Sequence, residues 1–121
     1  MQVKTIKWLS VQAAEAEVEI TDGAFTCVAF SCPCEVDVNE KISEPLHVFD
    51  IRNAMLVDDA ALGIWSLTDE SLGRKVVAEL IDVPRQLLKV GGILLVVEEC
   101  LPGGLEQGDI VEFECARIDL W

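Results

Sequence analysis

Two cysteines one residue apart, Cys32 and Cys34 around Pro33, form the one cluster in this 121-residue chain whose spacing invites chemistry. A thiolate binds zinc or attacks a disulfide when a nearby cation or helix N-terminus lowers its pKa. Here Glu35 and Asp37 follow, and negative charge raises a thiol's pKa. Structural zinc sites draw their ligands as spaced pairs from two places in the chain. One intervening residue is too tight, and no second pair exists. The remaining zinc candidates are therefore scattered: Cys32, Cys34, His47 and Cys100, distant in sequence but able to converge in a barrel. The same cysteine pair is the candidate for a redox role. The competing reading makes Cys27 and Cys115 small core residues and leaves Cys32 and Cys34 in a turn after a strand.

His47 is the single histidine, so any imidazole acid–base scheme passes through it. Its neighbours Leu46, Val48 and Phe49 belong to a strand-like run. On the face of Phe49 and Ile51 it reads as a partly buried structural residue. Carboxylate pairs at Asp58-Asp59, Asp69-Glu70 and Glu98-Glu99 could each hold a hard cation. None shows the alternating oxygen ligands and glycine of a calcium loop. Gly91-Gly92 and Gly103-Gly104 lack what a phosphate-cradling loop needs after them. Trp8, Trp65 and Trp121 could form an aromatic platform, though core filling and edge packing is the simpler expectation. No catalytic set and no cofactor motif emerges.

Composition narrows the function classes. Twenty-two acidic residues against nine basic ones give a formal net charge of −13, with the cations scattered apart from Arg74-Lys75. Phosphate backbones are bound by clustered Lys and Arg, so nucleic acid and anionic membranes are excluded as expected partners. Excess charge keeps an apolar domain in solution, or presents an acidic face to a basic partner. Half the residues are hydrophobic (51%), which implies a packed core. Five cysteines leave one over from any full disulfide set, so reduced thiols in the cytoplasm are expected. No targeting segment is read at residues 1–8. The longest apolar run, residues 93–97, is far too short to span a bilayer as a helix.

The elements that position these residues are strands. Ala14, Ala16, Val18 and Ile20 alternate with Glu15, Glu17 and Glu19, a period of two with one wet face. Asp22-Gly23 follows and suits a two-residue type I′ turn. That turn sets Ile20 opposite Phe25, Val18 opposite Cys27 and Ala16 opposite Ala29. Further strands are predicted at residues 3–9, 46–57, 74–82, 92–99 and 110–120. In the last, the apolar phase moves from Val111, Phe113 and Cys115 to Ile118 and Leu120, which predicts a β-bulge near Ala116-Arg117. Residues 84–90 read as a short helical turn, with a strand running into a Gly91-Gly92 hairpin as the alternative. Residues 58–71 hold at most a short strand at Ile64-Trp65-Ser66-Leu67.

The chain is thus expected to form one all-β, mostly antiparallel domain over residues 1–121, a small barrel or sandwich with at most one short helix. A strand, a short helix, Gly-Gly and two final strands resemble the second half of an OB-like barrel. The turn-into-strand pieces at Val38-Asn39-Glu40-Lys41-Ile42 and Gln107-Gly108-Asp109-Ile110-Val111 add to that resemblance. It is architectural, without a diagnostic motif, and fold does not fix function. The expected function is a non-enzymatic binding or assembly domain. The alternatives are a thiol or metal site at Cys32 and Cys34, and a small enzyme using carboxylates in a barrel mouth. Residues 93–97 are apolar on both faces, as are Val76 and Val77, which predicts a protein partner or self-association as a homodimer.

Overall fold

The computed structural model describes residues 1–68 and 72–121. Among these it has nine strands and no helix: β1 (Gln2–Ser10), β2 (Glu15–Thr21), β3 (Thr26–Ser31), β4 (Leu46–Val57), β5 (Gly63–Ser66), β6 (Arg74–Asp82), β7 (Leu87–Val90), β8 (Ile93–Val97) and β9 (Ile110–Asp119). No helix among the described residues is long and apolar enough to cross a membrane. Five strands close a barrel, because β9 pairs with both β4 and β6 while β4–β8–β7–β6 completes the ring. All of its pairings are antiparallel except the parallel β4–β8 ladder. The first three strands form a meander that joins the barrel through the parallel bridge of Phe30 with Asp119. The Leu120 amide, which donates to the Phe30 carbonyl, supports this join.

Alternation decides what fills the inside. Ile93, Leu95 and Val97 of β8, Val76, Ala78 and Leu80 of β6, and Val111, Phe113 and Cys115 of β9 are all buried. Val18, Ile20, Cys27 and Ala29 of the meander belong to the same core. The two-faced apolar runs are partly covered within one chain. Val77 pairs with Gly63 and is only 3% exposed, and the Trp65 ring occupies the space a Cβ at Gly63 would take. Leu94 and Val96 are half-buried on the outer side.

Three local expectations are corrected. The β2–β3 connection is a four-residue loop, Asp22 to Phe25, closing on the Thr21–Thr26 pair. Ile20 therefore opposes Cys27, Val18 opposes Ala29 and Ala16 opposes Ser31. A slip of two residues keeps every side chain on its expected face, so Val18 and Cys27 are buried while Glu15, Glu17 and Glu19 are half-exposed. The cause is the Asp22 side chain. Its Oδ1 accepts from the Ala24 and Phe25 amides at 2.8 and 2.6 Å, its Oδ2 from the Gly92 amide at 2.5 Å, and Gly23 alone takes a positive φ, 99°.

The second correction concerns residues 84–90. Leu87–Val90 is a strand running through Gly91-Gly92 into β8, so a β6–β7–β8 meander stands where the short helix was expected. Only residues before it turn, with Gln86 at a φ of 49°. Thirdly, the register shift that bends the β4–β9 ladder lies on β4, between Arg52 and Met55. No register shift falls at Ala116-Arg117, where Phe49 pairs with Arg117 and Ile51 with Cys115; beyond Cys115 β9 leaves β6, and Asp119 pairs with Phe30 of β3.

Candidate functional site

The outer face around β9 gathers residues that the chain keeps far apart. Antiparallel pairing sets Phe49 opposite Arg117 and His47 opposite Asp119, while Phe30 of β3 meets Asp119 from the other side. The inward residues of these strands are Leu46, Val48, Ala29 and Ile118, so their neighbours point outward. Arg117 donates from Nε to Asp119 Oδ1 at 2.6 Å and from Nη2 to Oδ2 at 2.9 Å. Its guanidinium also lies over the Phe30 ring (4.8 Å) and near the Phe49 ring (5.5 Å). A planar cation held in this way is fixed in one orientation.

Trp121, just beyond β9, stacks on His47 with ring centroids 3.7 Å apart and planes 11° from parallel. It lies 6.1 Å from Phe49 at a tilted angle, and it remains 73% exposed. His47 Nδ1 is shielded from solvent and has no hydrogen-bond partner; Glu98 Oε1 is 3.7 Å away, too far for one. Further along β4, Asp50 and Asn53 hold positive φ values of 58° and 55° inside a strand. Asp and Asn tolerate that region better than other side chains, and such strain collects at functional surfaces.

The predicted metal residues are not brought together. Cys34 is buried, and its amide donates to the Ala14 carbonyl at 2.7 Å; Cys32 is exposed, with Sγ 3.6 Å from the Ala13 carbonyl. Both tie the loop after β3 to the β1–β2 turn. Cys100 is exposed after β8, and His47 is engaged by Trp121. No three His, Cys, Asp or Glu side chains among the described residues could hold a metal ion. Asp58-Asp59 sits in an exposed loop, and Glu98-Glu99 is exposed at the end of β8. Asp69-Glu70 lies outside the described residues.

Among the described residues Asp119 is the single buried carboxylate, and Arg117 takes both its oxygens. A 270 Å³ hollow beside the β4 register shift is lined by Asn53, Met55, Lys75, Glu112, Phe113 and Glu114. There the hydrogen bond from Lys75 to Glu112, at 2.8 Å, and the charge of that carboxylate hold Lys75 above its ordinary pKa, which disfavours it as a base.

Of core filling and edge packing, the three tryptophans show the second: none is buried, and Trp121 packs on His47. Trp8 and Trp65 are also about half-exposed, on β1 and β5, away from the Trp121 cluster. The alternation of His47 with Phe49 was visible in the sequence. The contributions of Phe30 and Arg117 were not, because they depend on β3 pairing in parallel with β9. No known family, no curated protein and no solved structure matches this chain.

Proposed function

We propose that this chain is a non-enzymatic binding domain that takes a basic segment of a partner protein on its Trp121 face. The observation that carries the reading is Trp121 itself, braced on one face by His47 and otherwise open to solvent. Trp and Arg dominate the energetics of protein interfaces, and a braced ring loses little freedom on binding. Charge selects the partner. Arg117 is neutralised by Asp119, while Glu98 beside His47 and Glu99, whose Oε1 accepts from the Ile51 amide, border the rings. With −13 overall, a Lys or Arg side chain is drawn to this face and finds an aromatic surface for cation–π contact.

The test is calorimetric titration with a Lys- and Arg-rich peptide and with its Glu-rich counterpart, at low and physiological salt. The basic peptide binds and weakens as salt rises. Trp121→Ala lowers its affinity about tenfold, the equivalent of a cation–π contact of about 1.4 kcal/mol, and leaves the melting temperature unchanged. Failure of the basic peptide to bind at low salt, equal binding by the acidic one, or an indifferent Trp121→Ala overturns the reading.

A further inference from the structure

We infer that Phe30, Phe49 and Asp119 form a guanidinium-binding site, which the chain fills with its own Arg117 and which an arginine of the partner protein takes over. The inference extends the reading above, whose contact on Trp121 anchors the incoming segment.

The fixed part of the site is its carboxylate. The Asp119 side chain is only 9% exposed, and its cross-strand neighbours are Phe30 of β3 and His47 of β4. Phe49 brings a second ring from its place opposite Arg117. One guanidinium satisfies both carboxylate oxygens, at 2.6 and 2.9 Å, and lies 4.8 Å from the Phe30 ring centre and 5.5 Å from that of Phe49. This combination selects a flat, forked cation. A lysine ammonium is a point charge, and it cannot meet two oxygens while lying against the rings. A buried carboxylate stripped of its cation is costly, so the folded domain keeps the site filled.

The filler is the replaceable part. The Arg117 side chain is 41% exposed, so its guanidinium enters from the solvent side. Among the described residues its only hydrogen bonds are those to Asp119, two residues along the same strand. It can therefore leave by side-chain rotation while β9 stays in place. An attached side chain competes at an effective concentration in the millimolar range, which keeps a lone arginine out. A segment already held on Trp121 competes on equal terms, because Phe49 lies 6.1 Å from that indole. A chain of −13 gains from a second cation and lets the displaced Arg117 return to solvent.

The probes are a short peptide with arginine as its cation and its lysine twin, titrated calorimetrically into the wild type and into Arg117→Gln. Removing the competing cation should raise the affinity for the arginine peptide about tenfold, with little gain for the lysine peptide. In the wild type, NMR of the Arg117 Nε–H should show its slow exchange lost as the arginine peptide saturates, a readout that needs no variant to fold. Trp121→Ala weakens both peptides if the Trp121 reading holds, whereas the arginine preference gained by Arg117→Gln does not depend on Trp121, so the two ideas fail separately. An Arg117 Nε–H still protected at the highest peptide concentration, or an Arg117→Gln protein with unchanged affinity or an equal gain for lysine, overturns the inference.

Discussion

Replacing Asp22 with Ala removes the clasp between two hairpin tips. The carboxylate accepts the Ala24 and Phe25 amides within its own loop and the Gly92 amide from the β7–β8 turn. Each hydrogen bond to a charged group is worth roughly 1.5–3 kcal/mol. The loop tips are exposed, so water replaces part of what is lost, and a net loss of about 2 kcal/mol follows for the set. With an unfolding entropy near 2.1 cal/mol/K per residue, a domain of this length loses about 8 °C in Tm. Asp22→Asn keeps one acceptor oxygen and should lose about half as much.

The pH dependence supplies an internal check. Partial burial pushes the Asp22 carboxyl pKa up, but the amides of Phe25, Gly92 and Ala24 outweigh it, and the pKa lies below the ordinary 3.8. A depressed carboxyl pKa contributes stability that is full above the unfolded value and is lost as pH falls through the folded one. Calorimetry at neutral pH and at about pH 3 should therefore show the gap between wild type and Asp22→Asn shrinking in acid. An Asp22→Ala protein that melts with the wild type, or a gap that widens in acid, would refute the clasp.

Two glycines in the same region separate steric from backbone costs. A Cβ at Gly91 would lie 2.6 Å from Asp22 Oδ2 and from a Phe25 ring carbon, at a φ of 59°. At Gly23 nothing lies within 4 Å and only the φ of 99° opposes a side chain. Thermal melts should rank Gly91→Ala as more damaging than Gly23→Ala, the latter costing about 1–2 kcal/mol. Gln86 donates from Nε2 to the Val97 and Glu99 carbonyls and accepts the Leu101 amide at Oε1, pinning the segment after β8. Gln86→Ala should speed hydrogen exchange at Leu101 and cost about 1–2 kcal/mol. Thiol titration of native protein should find Cys32 and Cys100 fast and the three buried cysteines slow. Burial pushes the Cys27 thiol up to about 12 and Cys115 to about 11, so both should react only on unfolding.

Much of the fold was readable because each local signal was self-sufficient. The strand bounds at residues 46–57 and 74–82 coincide with β4 and β6, since uninterrupted β-rich runs there end at turn residues. The alternation in Val111, Phe113 and Cys115 marks the core face of β9 because a pleated strand has a period of two. The β2–β3 loop went astray because Asp22 binds Gly92, 70 residues away, and a long-range hydrogen bond leaves no local trace. Residues 84–90 were ambiguous because Pro84 and Gly91 punctuate a helix and a hairpin equally well.

The sequence by itself determined an acidic, apolar-cored β domain, with Cys27 and Cys115 inside and the β2 glutamates toward solvent. Composition and periodicity are sums over near neighbours, and they need no knowledge of which strands meet. Tertiary structure alone decided that β9 joins β3, β4 and β6. That choice places Phe30, Phe49 and Arg117 together and stacks His47 beneath Trp121. It also leaves β1 at the rim with an open edge. Strand order and closure depend on burying the whole apolar surface at once, a global condition that no window of the chain contains.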